Sequence, residues 1–484
     1  MDKSSLKNIL KFISMTEIAL ALFFILPISI GILYHEDVKP FIYFDLCCLL
    51  ISSLVFLFLR NHKVDLNLKE GVLSVNLVWL LLGFMGAYPL YIYTDISMSS
   101  ALFESISGFT TTGATVYTDI ESLPKMILIL RSLMHWLGGM GIIVLGVGLF
   151  SILNPNGSVA LFKAESTGIT AEKITPRIKD TALRLWGVYT LLTIVDMMFL
   201  YFEGMSFFDA LNHSFSTIST GGFSTKNNSL AYYADNSMII WTTTFFMLLS
   251  GVNFIAHLKL FKKDISGYKT ETFFWYIRIF VLLSLAMSFM HYFSSQNTLF
   301  FSLTHGFFTI SSILTTTGFV TLDYEQWGHF AISLAFVAML IGGNTSSTAG
   351  GVKVIRYIII FKTLAAEIKK ILYPNAIFNV FINGNKMKEN VIYSTVGFFM
   401  LFSIANLVLT LYLFSRGYDA ITAVSASLAC IGNIGPGFGT VGPINNYNFF
   451  SDFDKIILSI FMIIGRLEFY TVVLLFTKRF WQRF

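Results

Sequence analysis

Long apolar stretches separated by short polar links dominate this chain, and ten of them approach the roughly 20 residues that a helix needs to cross a bilayer. They are 13–34, 41–59, 71–94, 126–153, 185–202, 238–258, 273–293, 329–373 (interrupted), 391–414 and 456–476. Between some of these lie shorter apolar segments that stop after about three turns. ALFESISGF (101–109) and FFDALNHSFSTI (207–218) are two of them; FFSLTHGFFTISSIL (300–314) and YDAITAVSASLACI (418–431) are longer by roughly a turn. Each leads into a Gly-centred strip: TTTGAT (110–115), STGGFST (219–225), TTTGFVT (315–321) and GNIGPGFG (432–439). Taking Gly113, Gly222, Gly318 and Gly435 as equivalent, the intervals are similar three times over, the mark of an internal fourfold repeat.

Each repeat reads as a span, a short re-entrant helix, a Gly-containing strip and a second span. A segment that enters the bilayer and turns back is tolerated only where protein shields its non-helical part or where that part lines water. Four copies around one axis supply the shielding. The short helices then aim their partly negative C-terminal ends at the centre, and the strips turn backbone carbonyls toward it, which favours a cation. An unhydrated ion in the membrane costs on the order of tens of kcal/mol, so the carbonyls must approach closely from several sides; glycine allows the required backbone angles. The stiff threonines help hold an extended strip. A single Gly-Thr cluster would read as helix packing, but four at near-equal spacing read as a filter. Its residues are Thr111, Thr112, Gly113, Thr220, Gly221, Gly222, Thr316, Thr317, Gly318, Asn433, Ile434 and Gly435, acting mainly through carbonyls.

Composition agrees. The 484 residues are 55% hydrophobic and only 13% charged, with 50 Phe and a mean hydropathy of +0.69, against about 25% charged residues in a soluble domain. The fold class is therefore an all-α polytopic membrane protein with an N-terminal helical hairpin. Lys and Arg gather in one set of links, which places both termini in the cytoplasm. Only Lys39, Lys125, Lys226, Arg416 and Lys455 fall outside, and Arg131 and Arg466 lie deep within spans. Asp119, Glu121, Asp323, Glu325, Asp452 and Asp454 are expected to make the outer mouth negative and to concentrate cations. The net charge of +5 reflects topology, and nothing points to nucleic acid. The basic N-terminus before the first apolar run reads as an uncleaved first span. Cys47, Cys48 and Cys430 form neither a disulfide framework nor a metal spacing.

The eighth stretch is broken by IGGNTSSTAGGVK (341–353). Such a break must face protein or water, and its glycines make it a candidate gate: Gly342, Gly343, Asn344, Thr345, Ser346, Gly350 and Gly351. Arg466, where a charge is expensive and is retained for function, is expected to sit below the filter, hydrogen-bond carbonyls of this loop and hold the pore shut. A pair with Glu468 would need a shared helix face that residues two apart lack. Asp45, Arg131, His135 and Asp196 read as hydrogen-bonded structural groups. Glu104 could approach the mouth or buttress its helix, and His213 and His305 read as packing residues. Four copies in one orientation argue against an inverted-repeat secondary transporter, although proton or sodium coupling stays open. No motif supports an enzyme.

Read together, these residues resemble the TrkH branch of the Trk/Ktr/HKT superfamily of potassium transporters over almost the whole chain. RSLMHWLGGMGIIVL (131–145), KITPRIKDTALRLW (173–186) and GRLEFYTVVLLF (465–476) carry the likeness beside the four strips. The resemblance divides the chain into a hairpin (1–65) and four pore repeats (66–153, 154–264, 265–374 and 375–484). It implies potassium as the ion held and carried, one pore per subunit, a homodimer in a bacterial cytoplasmic membrane, and a cytosolic TrkA-type nucleotide-binding ring as regulator. In the related plant transporters a Ser at the first filter position accompanies sodium selectivity, so Gly113 favours potassium. The fourth strip departs most from the pattern, lacking the Thr run and carrying Pro436. Selectivity weaker than in a strictly fourfold potassium channel is expected.

Overall fold

The computed structural model describes residues 3–153 and 178–482. The start of the second repeat at 154 and residues 173–177 of the link motif lie outside the described residues. An N-terminal hairpin, α1 (Lys3–Leu33) and α2 (Lys39–Phe58), packs against α3 (Leu68–Tyr93) and, through α1, against α5. Its return is fixed by Lys11, whose ammonium donates to the carbonyls of Leu59, Arg60 and His62 at 2.9, 3.0 and 2.8 Å and so satisfies the C-terminal end of α2. α3 opens with a capping box in which Asn67 accepts from the Glu70 N–H and Glu70 accepts from the Asn67 N–H.

Four span, short helix, span units follow. The first is α3, α4 (Met98–Phe109) and α5 (Lys125–Leu153); the second is α6 (Ile178–Phe202), α7 (Phe207–Ile218) and the pair α8 (Ser237–Ser250) and α9 (Phe254–Phe261). The third is α10 (Glu271–Ser294), α11 (Leu299–Leu314) and the pair α12 (His329–Ile341) and α13 (Val354–Leu372). The fourth is α14 (Glu389–Ser415), α15 (Ala420–Gly432) and the pair α16 (Asp452–Arg466) and α17 (Tyr470–Val473). The second helix of each unit packs against the short helix of the next: α5 on α7, α8 on α11, α12 on α15 and α16 on α4. The last contact closes the ring.

Three details differ from the expectation. The fourth short helix begins at Ala420, because Asp419 caps it by accepting from the Thr422 N–H, so it is one residue longer than the first two and not a full turn. A two-residue antiparallel hairpin, β1 (Phe381–Ile382) with β2 (Asn385–Lys386), sits in the link between α13 and α14 and is the one β pairing among the described residues. All four second spans are broken, not the third alone. α5 is kinked at Gly141 (φ 74°), α8 and α9 meet at 97°, and α16 and the helical segment 470–476 meet at 109°. Glu468 and Phe469 take positive φ at that last break. Arg466 therefore ends a helix rather than lying inside one.

Outward faces are apolar: Leu46, Leu50, Leu54 and Phe58 stand exposed four residues apart along α2. The inward-facing short helices bury Ser, Thr, His and Glu instead. Bilayer outside and polar axis inside account for both.

Candidate ion pathway and gate

Each short helix is capped at its outer end by a side-chain oxygen three residues before its partner N–H: Ser97 to Ser100, Ser206 to Asp209, Thr298 to Phe301 and Asp419 to Thr422. Each also ends in the same way. The residue two before the filter glycine is left-handed in every repeat: Thr111 (φ 55°), Thr220 (55°), Thr316 (58°) and Asn433 (53°). Its N–H bonds three residues back, and the next N–H bonds five back: Thr112 to Ser107, Gly221 to Ser216, Thr317 to Ser312 and Ile434 to Ala429, at 2.8–2.9 Å. This is a Schellman ending built on threonine, where glycine is usual. A non-Gly residue in that region costs about 1–3 kcal/mol and persists where the surroundings over-determine it. Asn433, whose type tolerates this conformation, fills the same place in the fourth strip. Its amide donates to Thr112 Oγ1 at 3.0 Å and to the Met462 carbonyl at 3.1 Å. The departure in sequence leaves the backbone pattern intact.

The four glycines then turn into positive φ, at 79°, 87°, 82° and 94° for Gly113, Gly222, Gly318 and Gly435. A Cβ at Gly113 would overlap the Gly221 carbonyl oxygen; one at Gly222, that of Thr317; one at Gly318, that of Ile434. At Gly435 it would lie 2.6 Å from the Thr112 oxygen. Each glycine thus abuts the carbonyl of the next strip, and the fourth returns to the first. Eight of the twelve candidate filter residues, Thr112, Gly113, Gly221, Gly222, Thr317, Gly318, Ile434 and Gly435, meet in this ring, and Thr111, Thr220, Thr316 and Asn433 make the left-handed turns just before it.

Polar side chains hold the strips from behind. Fully buried Glu104 accepts from the Val116 N–H (2.9 Å), Thr115 Oγ1 (3.0 Å) and Arg131 (2.8 Å). Arg131 also donates to the Ser224 carbonyl and lies 4.1 Å from the Phe223 ring centre, joining the first two strips. His213 meets Ser224 Oγ at 2.9 Å and His305 meets Thr321 Oγ1 at 2.9 Å, so both histidines tether strips rather than only pack helices. His135 stacks on Phe223 at 4.0 Å. Asp196 differs from expectation: it is fully buried, and neither carboxylate oxygen has a hydrogen-bond partner among the described residues. Asp45 likewise leaves one oxygen without a partner among them. Glu104→Gln removes the charge that balances buried Arg131, a loss of about 3–5 kcal/mol. A marked fall in the thermal unfolding midpoint of the purified protein is expected.

Beyond the ring lies a vestibule of about 110 Å³ into which all four glycines open. Among the described residues the charged side chains that line it are Arg131 and Lys226, and Asp119 and Glu121 accept from the side-chain amide and backbone N–H of Asn227, another lining residue. Asp454 and Glu325 are engaged elsewhere. Asp454 accepts from Tyr412, Tyr418 and Arg416, and Glu325 accepts from the Gly439 N–H. Burial pushes the Glu325 carboxyl up, whereas the hydrogen bond from Asn227 holds exposed Asp119 below the usual carboxylate range. Lys226 lies 3.5 Å from Asp209 and 4.5 Å from the Tyr232 ring centre.

On the other side of the ring, the break between α12 and α13 is docked against the C-terminal ends of the short helices. Thr348 Oγ1 donates to the Ile218 carbonyl (3.0 Å), Gly351 N–H to the Gly432 carbonyl (3.0 Å) and Gly350 N–H to Thr316 Oγ1 (2.6 Å). Asn344 N–H reaches the Gly251 carbonyl, Phe254 N–H reaches the Ser346 carbonyl, and Gly343 accepts from Val354 N–H. Thr345 lies half-buried beside them. Gly342 (φ 79°), Ser346 (56°) and Gly351 (73°) make the turns, and Gly350 fits because a Cβ there would overlap the Gly432 oxygen. Arg466 donates to the Thr348 carbonyl at 3.1 Å and to those of Gly138 and Gly139 at 2.7 and 3.2 Å. It thus joins the loop to the kink of the first repeat. Glu468 pairs instead with Arg356 at 2.5 Å, and that guanidinium lies 3.6 Å from the Phe398 ring centre. Sequence reasoning missed Lys353, which is left-handed (φ 72°), buried, and bonded to the Ala349 carbonyl at 2.5 Å. A lysine directly after GGV in an apolar run was the signal that could have found it. Lys353 and Arg466 thus bring two basic side chains into the loop assembly.

The sequence profile of the TrkH family, described as a cation transport protein, matches residues 40–483. The Trk system potassium uptake protein TrkH of Salmonella typhimurium is 36% identical over 469 residues, covering 95% of each chain. The TrkG protein of the same system in Escherichia coli K12 is 33% identical over 473 residues, covering 94% of this chain and 95% of that one. The crystal structure of the potassium transporter TrkH from Vibrio parahaemolyticus superposes with a TM-score of 0.88 at 33% identity, covering 99% of this chain and 100% of that one.

Proposed function

Since the chain belongs to the TrkH family of cation transport proteins, a membrane transporter family of the Trk potassium uptake system and not a family of enzymes, we propose that it takes up potassium through one pore per subunit. The observation that carries this reading is the closed ring in which Gly113, Gly222, Gly318 and Gly435 each abut a carbonyl of the next strip. Carbonyls converging from four sides replace the hydration shell of a monovalent cation, and the short-helix dipoles add to the attraction. Both termini face the cytoplasm of a bacterial cell, the subunit pairs as a homodimer, and a TrkA-type nucleotide-binding ring acts from the cytosol.

The docked loop represents a shut gate. Its N–H and hydroxyl donors occupy the negative helix ends at Ile218 and Gly432 that would otherwise stabilise an ion, and Arg466 repels one. Opening requires the loop to leave those carbonyls. Expression in bacteria lacking their own potassium uptake systems tests the function: restored growth at limiting potassium supports it, and growth unchanged despite membrane insertion opposes it.

Lys226 in the vestibule is expected to repel incoming potassium. Lys226→Gln should lower the half-saturating potassium concentration about twofold to threefold, the effect of one unit charge at roughly 8 Å in water, without raising the maximal rate. Added inert salt should shrink the difference, and an unchanged half-saturation would remove Lys226 from this role.

A further inference from the structure

A groove of about 620 Å³ runs between the first turns of α1 and the last turns of α2. Its walls include Leu6, Leu10, Leu54 and Phe58, and its charged lining is Lys3 and Lys7. Phe58 is 87% exposed, and the apolar face continues along α2 through Leu54, Leu50 and Leu46. The hairpin packs inward on α3 and α5, so this face is turned to the bilayer. The two lysines are four residues apart and share one helix face. Lys11, one turn further on, is turned inward and used by the end of α2. Two ammonium groups bordering hydrocarbon-facing surface must stand at headgroup level, and among the described residues no acidic one lines the groove to balance them.

We propose that this groove binds an anionic phospholipid, one acyl chain lying along Leu10, Leu54 and Phe58 and the headgroup phosphate held between Lys3 and Lys7. Basic pockets between membrane helices recognise anionic headgroups in this way. An apolar slot open to the bilayer takes an acyl chain, and the paired charges select the headgroup that carries a net negative charge over a zwitterionic one. The site depends only on the chain being embedded in a membrane, so it stands or falls separately from the potassium reading.

The test uses the full-length protein in vesicles doped with a photoactivatable phosphatidylglycerol or with a phosphatidylcholine carrying the same diazirine acyl chain, with labelled peptides mapped by mass spectrometry. Labelling within residues 6–10 and 54–59 is expected to favour phosphatidylglycerol by about tenfold or more, given roughly fivefold per lysine. Lys3→Gln with Lys7→Gln should bring the ratio close to one, and Lys3→Arg with Lys7→Arg should keep it. Unchanged chromatographic behaviour and thermal midpoint of the variants exclude unfolding as the cause. Equal labelling by both lipids in the wild type, labelling elsewhere only, or a crosslink between two copies of the chain through this groove would overturn the proposal.

Discussion

Gly222→Ala is expected to reduce rubidium uptake about a hundredfold or more while leaving the protein folded in the membrane. Two independent costs act at this position. Backbone at φ 87° is unfavourable for an L-residue by roughly 1–2 kcal/mol, and the added methyl would overlap the Thr317 carbonyl oxygen. That oxygen belongs to the next strip of the ring, so relief of the overlap must displace a carbonyl of the proposed filter. Every 1.36 kcal/mol added to the barrier is a tenfold loss, and two such increments follow from strain and displacement together. Gly187→Ala is the matched control: Gly187 lies in α6, and an added methyl there would meet no described atom within 4 Å and needs no unusual backbone angle. Its uptake should be that of the wild type. Equal uptake by both variants would mean that the ring of glycines does not carry the ion.

Arg466→Ala should act in the opposite direction, raising flux through the resting protein about tenfold. The guanidinium bonds three carbonyls, from Thr348 in the loop and from Gly138 and Gly139 beside the kink of α5. Hydrogen bonds from a charged donor contribute about 1.5–3 kcal/mol, and the one to Thr348 forms only while the loop is docked. Its loss shifts the balance toward the undocked state and removes a positive charge from the proposed ion path. Arg466→Lys keeps the charge but not the planar fork that spans three acceptors, and an intermediate flux is expected. Unchanged or lower flux in a well-folded alanine variant would take Arg466 out of the gate.

Much of this arrangement is legible in the residues themselves. The Thr-Gly strips announce the filter because stiff residues followed by glycine have few other uses after a short apolar helix. The caps Ser97, Ser206, Thr298 and Asp419 and the left-handed Asn433 are equally local signals. Other features depend on tertiary placement. The breaks in α5, between α8 and α9 and between α16 and α17 are hidden because apolar runs resume directly after them, and hydropathy does not register a change of direction. Gly141, the pair Gly251 and Asn253, and the pair Arg466 and Glu468 mark them only in retrospect. Charge counted by link cannot say which side chains face the axis. Asp454 turns to two tyrosines and Arg416, and Glu325 turns to the Gly439 N–H, so neither lines the vestibule, whose charged side chains among the described residues are Arg131 and Lys226. The partner of Glu468 proved to be Arg356, far along the chain and brought near by the docked loop.

The most direct measurement is rubidium-86 uptake into liposomes containing the purified protein, with and without the proposed cytosolic partner ring, and with excess potassium, sodium or lithium as competitor. The proposed four-carbonyl potassium filter predicts displacement by potassium and little by sodium or lithium. Uptake displaced equally by all three would contradict it.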